Sequence, residues 1–77
     1  MKEQELTKTF GVRLRKLRTD KGWSQQRLAD EADLGKQTIQ RIEWGQLSPT
    51  LNTLSRISNA MEITLSELLI SIETFDK

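Results

Sequence analysis

Lys36, Gln37, Gln40, Arg41 and Trp44 stand close together in the glycine-bracketed stretch GKQTIQRIEWG. Carboxamides and guanidinium groups make paired hydrogen bonds of the kind that adenine and guanine edges offer in a DNA major groove. On a helix turning about 100° per residue, Gly35, Ile39 and Ile42 define the inner side. Gln37, Arg41 and Trp44 then point away from it, with Lys36 and Gln40 on one flank. This outer face carries no acid, whereas an ordinary solvated helix face tends to mix both signs. Solvent exposure alone remains the competing reading of any polar helix face.

The rest of the composition narrows the chemistry. Histidine and cysteine are absent from the 77 residues. The commonest general base and metal ligand, thiol nucleophiles, thiolate metal sites and disulfides are therefore excluded. Asp30, Glu31 and Asp33 cluster beside helix-terminal turns without a nucleophile, and they lack the alternating oxygen ligands of a calcium loop. The expectation is a protein that is not an enzyme, with no cofactor, no metal and no small-molecule ligand. No apolar run approaches the ~20 residues that cross a bilayer, and no charged-then-apolar leader opens the chain. No membrane association and a cytoplasmic location are expected. The net charge of +1 conceals an asymmetry, +3 over residues 1–49 and −2 over residues 50–77. The basic segment KTFGVRLRKLRTDKG sets six cations against Asp20. Such a face can attract a polyanion, or it can be a solvated helix surface.

Periodicity supplies the elements that would position these groups. Leu6, Phe10, Leu14 and Leu17 recur at helical spacing, so a first helix is expected over about residues 5–20, stopped by Gly22. Ser24 suits an N-cap for a short second helix over about 25–32, with Leu28, Ala29 and Ala32 inward. Lys36–Trp44 forms the third. Ser48 and Pro49 read as cap and first position of a fourth, with Thr50 the alternative cap. Its apolar face is Leu51, Leu54, Ile57 and Met61. TLSE at Thr64–Glu67 has the form of a capping box opening a fifth helix through Leu65, Leu68, Leu69 and Ile72. With no strand signal or linker, residues 1–77 are expected to be one all-α domain of five helices, its core about residues 6–73. A chain this short buries only about 60% of its unfolded surface, so a partner copy would add needed burial.

The second and third helices, joined by a short turn, form a helix-turn-helix arrangement. The segments RLRKLRTDKGWSQQRLAD, TIQRIEWG and SPTLNTLSRISNAMEITLSELL resemble the lambda-repressor and Cro-like helix-turn-helix family, also called the xenobiotic-response-element family. The resemblance spans roughly residues 7–70. It implies a compact five-helix fold whose third helix reads base edges through Lys36, Gln37, Gln40 and Arg41. It also implies that Gln25 holds a phosphate and buttresses that helix, and that Arg18 and Glu43 form an ion pair at the edge of the core. The flank positions of Arg18 and Glu43 on their helical wheels agree with this pairing. Two residues depart from the family pattern. Asp33 occupies a turn position often held by glycine, where a left-handed backbone has a cost. Trp44 replaces a usual polar residue. It is either a surface aromatic lying over helix 4 or the loop, or a contact to a sugar-phosphate edge or thymine methyl. Trp23 is expected to fill the junction of helices 1 and 2.

Gln46, Ser48, Thr50 and Asn52 surround the start of the fourth helix, where free backbone N–H groups suit phosphate, although capping accounts for one hydroxyl. Ile63, Leu65, Leu69, Ile70 and Ile72 form an apolar C-terminal patch expected to join two copies. The partner expected is double-stranded DNA, bound at a pseudo-palindromic operator by a homodimer. In length and layout the chain is similar to restriction-modification controller proteins and small phage repressors, which act as transcriptional repressors or activators. An antitoxin-like protein-interaction module on the same fold is the alternative.

Overall fold

The computed structural model describes residues 2–70. Five helices follow one another: α1 Glu3–Asp20, α2 Gln25–Ala32, α3 Lys36–Glu43, α4 Leu51–Ala60 and α5 Leu65–Leu69. The chain has the expected all-α, lambda-repressor-like architecture. Phe10, Leu14, Leu28, Ile39, Ile42, Ile57, Met61 and Leu68 meet in one buried core drawn from all five helices. Trp23 packs against its edge, half-buried at the junction of α1 and α2. Its ring is flanked by the Arg27 guanidinium at 4.8 Å and the Lys21 ammonium at 5.3 Å.

Local chemistry accounts for the helix starts. The Ser24 hydroxyl accepts from the Arg27 N–H at 2.9 Å, closing one of the orphan donors at the start of α2. The Thr50 hydroxyl does the same for the Thr53 N–H at 3.1 Å, so α4 begins after Thr50 and not at Pro49. Ser48, the first cap expected, makes no capping hydrogen bond among the described residues, and the alternative, Thr50, is the cap. At α5, Thr64 and Glu67 bond reciprocally through 2.9 and 3.0 Å contacts. The Thr64 backbone N–H, aided by its hydroxyl, holds the Glu67 carboxyl below the usual glutamate range.

Four expectations need correction. Leu51 is 74% exposed. It is the first residue of α4, and helical side chains lean toward the N-terminus, so its side chain extends past the end of the core. Leu6 is partly exposed for a related reason, one turn before the buried stretch of α1. Gly35 is the exposed N-cap of α3 and not part of its inner face. Helix α5 stops at Leu69, with Ile70 extended at φ −62° and ψ 142°. Its last carbonyls take a side-chain donor from α1, which removes the need for a further turn. Ile72, with the remainder of the expected fifth helix, lies outside the described residues.

Asp33 is left-handed at φ 56°, ψ 47° and closes α2, so the three-residue turn to α3 is made without glycine at that position. Asp tolerates this region better than most residues. Arg56 braces the turn from α4, donating from Nη1 to the Asp33 carbonyl at 3.1 Å and approaching its carboxylate at 3.4 Å.

Candidate nucleic-acid interface

The third helix is seated by Ile39 and Ile42, both fully buried. Behind it α1 approaches unusually closely at Gly11. A Cβ there would lie 2.4 Å from the Ile42 carbonyl oxygen and 2.8 Å from that of Glu43. Only a residue without a side chain lets the two backbones meet this way. Gly11 was absent from the residues singled out by sequence. The available signal was a glycine in the middle of an otherwise strong helix, where it lowers intrinsic helix stability.

Seating α3 leaves Lys36, Gln37 and Arg41 exposed and Gln40 half-buried on its outer side. Among the described residues none of the four side chains is engaged in a hydrogen bond or ion pair with another protein group. Trp44 caps the helix in right-handed conformation, and Gly45 follows at φ +74°.

The C-terminal end of α3 is anchored by a charged network. Arg18 Nε donates to Glu43 Oε2 at 2.6 Å, and Arg18 Nη2 to Oε1 at 2.9 Å. This is a bidentate pair, with Arg18 8% and Glu43 9% exposed. Arg18 Nη1 also donates to the Trp23 carbonyl at 2.7 Å, and the Gln25 amide donates to Glu43 Oε1 at 3.1 Å. Gln25 is thereby tied to α3 through its side chain. The network links α1, the start of α2 and the end of α3, which sets the angle between the two helices of the helix-turn-helix.

A surface groove of about 520 Å³ opens above this network, with Arg15, Gln25, Gln26, Lys36 and Trp44 among its lining residues. Its acid, Glu43, is already matched by Arg18, so Arg15 and Lys36 leave the groove positively charged. Trp44, 61% exposed, lines this groove. Arg15 and Gln26 were not anticipated as neighbours of the outer side of α3. Their proximity depends on how α1, which carries Arg15, and α2, which carries Gln26, pack against α3.

The remaining expected contacts are distributed differently. Gln46, Ser48 and Asn52 are exposed near the start of α4. Thr50 is exposed too, but its hydroxyl is committed to the helix cap and to Thr53. At the other end Leu65, Leu69 and Ile70 are exposed, Ile70 by 57%. Ile63 instead packs half-buried against the domain's own core, so it contributes less to the patch than expected. No helix among the described residues is long and apolar enough to cross a membrane.

Two short helices joined by a three-residue turn, the second held from behind and bearing a row of unengaged amides and cations, define a helix-turn-helix domain. The sequence matches the helix-turn-helix family over residues 14–68, and the chain belongs to that family. The SPbeta prophage-derived HTH-type transcriptional regulator YonR of Bacillus subtilis strain 168 is 43% identical over 60 residues. That alignment covers 78% of this chain and 56% of YonR, so the chain spans little more than half of that relative's length. Control protein C.MunI of a Mycoplasma species is 42% identical over 65 residues, covering 83% of this chain and 88% of its own. Among solved structures, the restriction-modification controller protein C.AhdI from Aeromonas hydrophila superposes with a TM-score of 0.77 at 38% identity. That match covers 82% of this chain and 94% of C.AhdI.

Proposed function

We propose that this protein is a sequence-specific, DNA-binding transcriptional regulator of the restriction-modification controller type, acting in the cytoplasm as a homodimer on a pseudo-palindromic operator. The observation that carries this is the outer face of α3, where Lys36, Gln37, Gln40 and Arg41 offer donors and acceptors with no acid among them. Base reading needs this inventory, and phosphate contacts from the groove and the start of α4 supply register. Gln25, Gln46, Ser48, Asn52 and Trp44 are the assigned phosphate contacts, with Thr50 contributing through the helix end it caps. The similarity to two controller proteins over most of their length supports the same reading.

Selection of bound sites from a random DNA pool, followed by mobility-shift titration at two salt concentrations, tests it. A DNA reader binds random sequence weakly and loses affinity steeply as salt rises. Absence of any salt-dependent binding sinks the proposal in favour of a protein-interaction module. On the selected operator, Arg41→Ala and Gln37→Ala each remove about 1–3 kcal/mol of discrimination, while random-DNA affinity changes little. Equal losses on both DNAs would make these residues phosphate contacts.

Dimerisation is assigned to the C-terminal patch of Leu65, Leu69 and Ile70, with Ile63 beneath it and Ile72 beyond the described residues. The acidic balance of residues 50–77 suits a face turned away from DNA. A two-fold pair formed there can send both α3 helices into successive major grooves about 34 Å apart. Ile70→Asp shifts the protein to monomer and abolishes tight operator binding, with its far-ultraviolet circular dichroism unchanged. Sedimentation at micromolar concentration reads the result. A wild-type chain that stays monomeric even on a two-half-site operator overturns the dimer.

A further inference from the structure

Helix α5 has five residues, Leu65–Leu69. Isolated helices shorter than about 12–15 residues are marginal in water, so its shape must be imposed from outside. Three tethers impose it: the buried Leu68 side chain, the Thr64–Glu67 box at its start, and one side chain of α1 at its end. That side chain is Arg13. Its Nη2 donates to the Glu67 carbonyl at 2.8 Å and its Nε to the Leu68 carbonyl at 3.4 Å, across 55 residues of sequence. The last carbonyls of a helix lack N–H partners, and a cation at that end also complements the backbone dipoles. Among the described residues these are the only side-chain hydrogen bonds between α1 and α5. Exposed Leu69 and Ile70 follow directly on the two carbonyls that Arg13 holds.

We infer that Arg13 is a positioning residue for self-association. By holding the end of α5 against α1 it sets where Leu69 and Ile70 stand when a second copy of this chain packs on them. The inference rests on the dimer proposed above, and it adds a residue of α1, outside the apolar patch, that governs assembly. It also makes α1 common to the α3 and α5 contacts, since α1 carries Arg18 and Gly11 toward α3 and Arg13 toward α5.

Sedimentation equilibrium over a concentration series on the full chain tests it, with wild type, Arg13→Ala, Arg13→Lys and Arg13→Gln. Loss of a charge-assisted hydrogen bond weakens the dimer of Arg13→Ala about tenfold or more. Arg13→Lys recovers part of this, because an ammonium can donate to one carbonyl but cannot fork across two. Binding of a single half-site at concentrations below dimer formation stays at the wild-type level in each variant. Amide hydrogen exchange at Leu68 and Ile70 quickens in Arg13→Ala, while exchange at α3 is unchanged. If Arg13→Ala dimerises like wild type while Ile70→Asp is monomeric, the assignment to Arg13 is wrong and the dimer stands. A wild-type chain that is monomeric throughout removes both. If Arg13→Ala fails to fold, Arg13→Gln decides: a wild-type dissociation constant there overturns the inference, and a weakened dimer with intact half-site binding supports it.

Discussion

Arg18→Ala will destabilise the fold by about 3–5 kcal/mol, the cost of leaving a buried carboxylate without its partner. The substitution strips Glu43 of both guanidinium bonds, at 2.6 and 2.9 Å, and frees the Trp23 carbonyl that Arg18 also satisfies. The Gln25 amide at 3.1 Å is then the only side-chain donor left to Glu43 among the described residues. Glu43→Ala leaves the guanidinium stranded and is damaging for the same reason. Urea denaturation of the two single variants and the double variant gives the coupling directly, and coupling indistinguishable from zero would refute the buried pair. Replacing both residues by apolar ones of similar volume, Arg18→Met with Glu43→Leu, should leave stability close to wild type. A well-packed apolar pair avoids the desolvation that the ions incur. Operator affinity should nevertheless fall in that double variant, because Gln25 loses its anchor to α3. The comparison separates holding the fold together from holding α3 at its angle.

Gly11→Ala is expected to lose about 1–3 kcal/mol, in the range of overpacked interiors. An alanine in an ordinary helix interior would instead gain about 0.5–1 kcal/mol over glycine, so the sign itself is diagnostic. The added methyl would meet the Ile42 and Glu43 carbonyl oxygens at 2.4 and 2.8 Å, and these are backbone atoms that cannot rotate aside. Relief requires α1 and α3 to separate, which shifts Arg41 and Trp44 together with the helix. Operator binding should therefore weaken although Gly11 is not among the proposed DNA contacts, and Gly11→Val should do more harm on both counts. Urea midpoints with mobility-shift titrations check this. A Gly11→Ala protein as stable as wild type would mean that the close approach does not hold α3 in place.

Much of this molecule follows from local rules that act within four residues. Ser24, Thr50 and the Thr64–Glu67 box start their helices through contacts three residues away, so two of these caps and the order of five helices were legible in the chain, while Thr50 was legible only as the alternative to Ser48. The same short range made the α3 face legible, since Ile39 and Ile42 mark its inner side and the amides and cations fall opposite. Ranges and faces failed at helix ends. Leu51 and Leu6 have the right periodicity, yet burial depends on what covers them, and the described residues leave Leu51 74% and Leu6 38% exposed. Tertiary structure alone decided the rest. The Gln25 bond to Glu43 joins residues 18 positions apart, and Arg13 reaches carbonyls 54 and 55 positions away. Which side chains of α1 and α2 share a groove with Trp44 was set by how those helices pack against α3. The approach of α1 to α3 was possible because one glycine lets two backbones touch. Periodicity and capping report how a segment relates to itself, whereas these contacts arise only when segments distant in sequence are packed into one core.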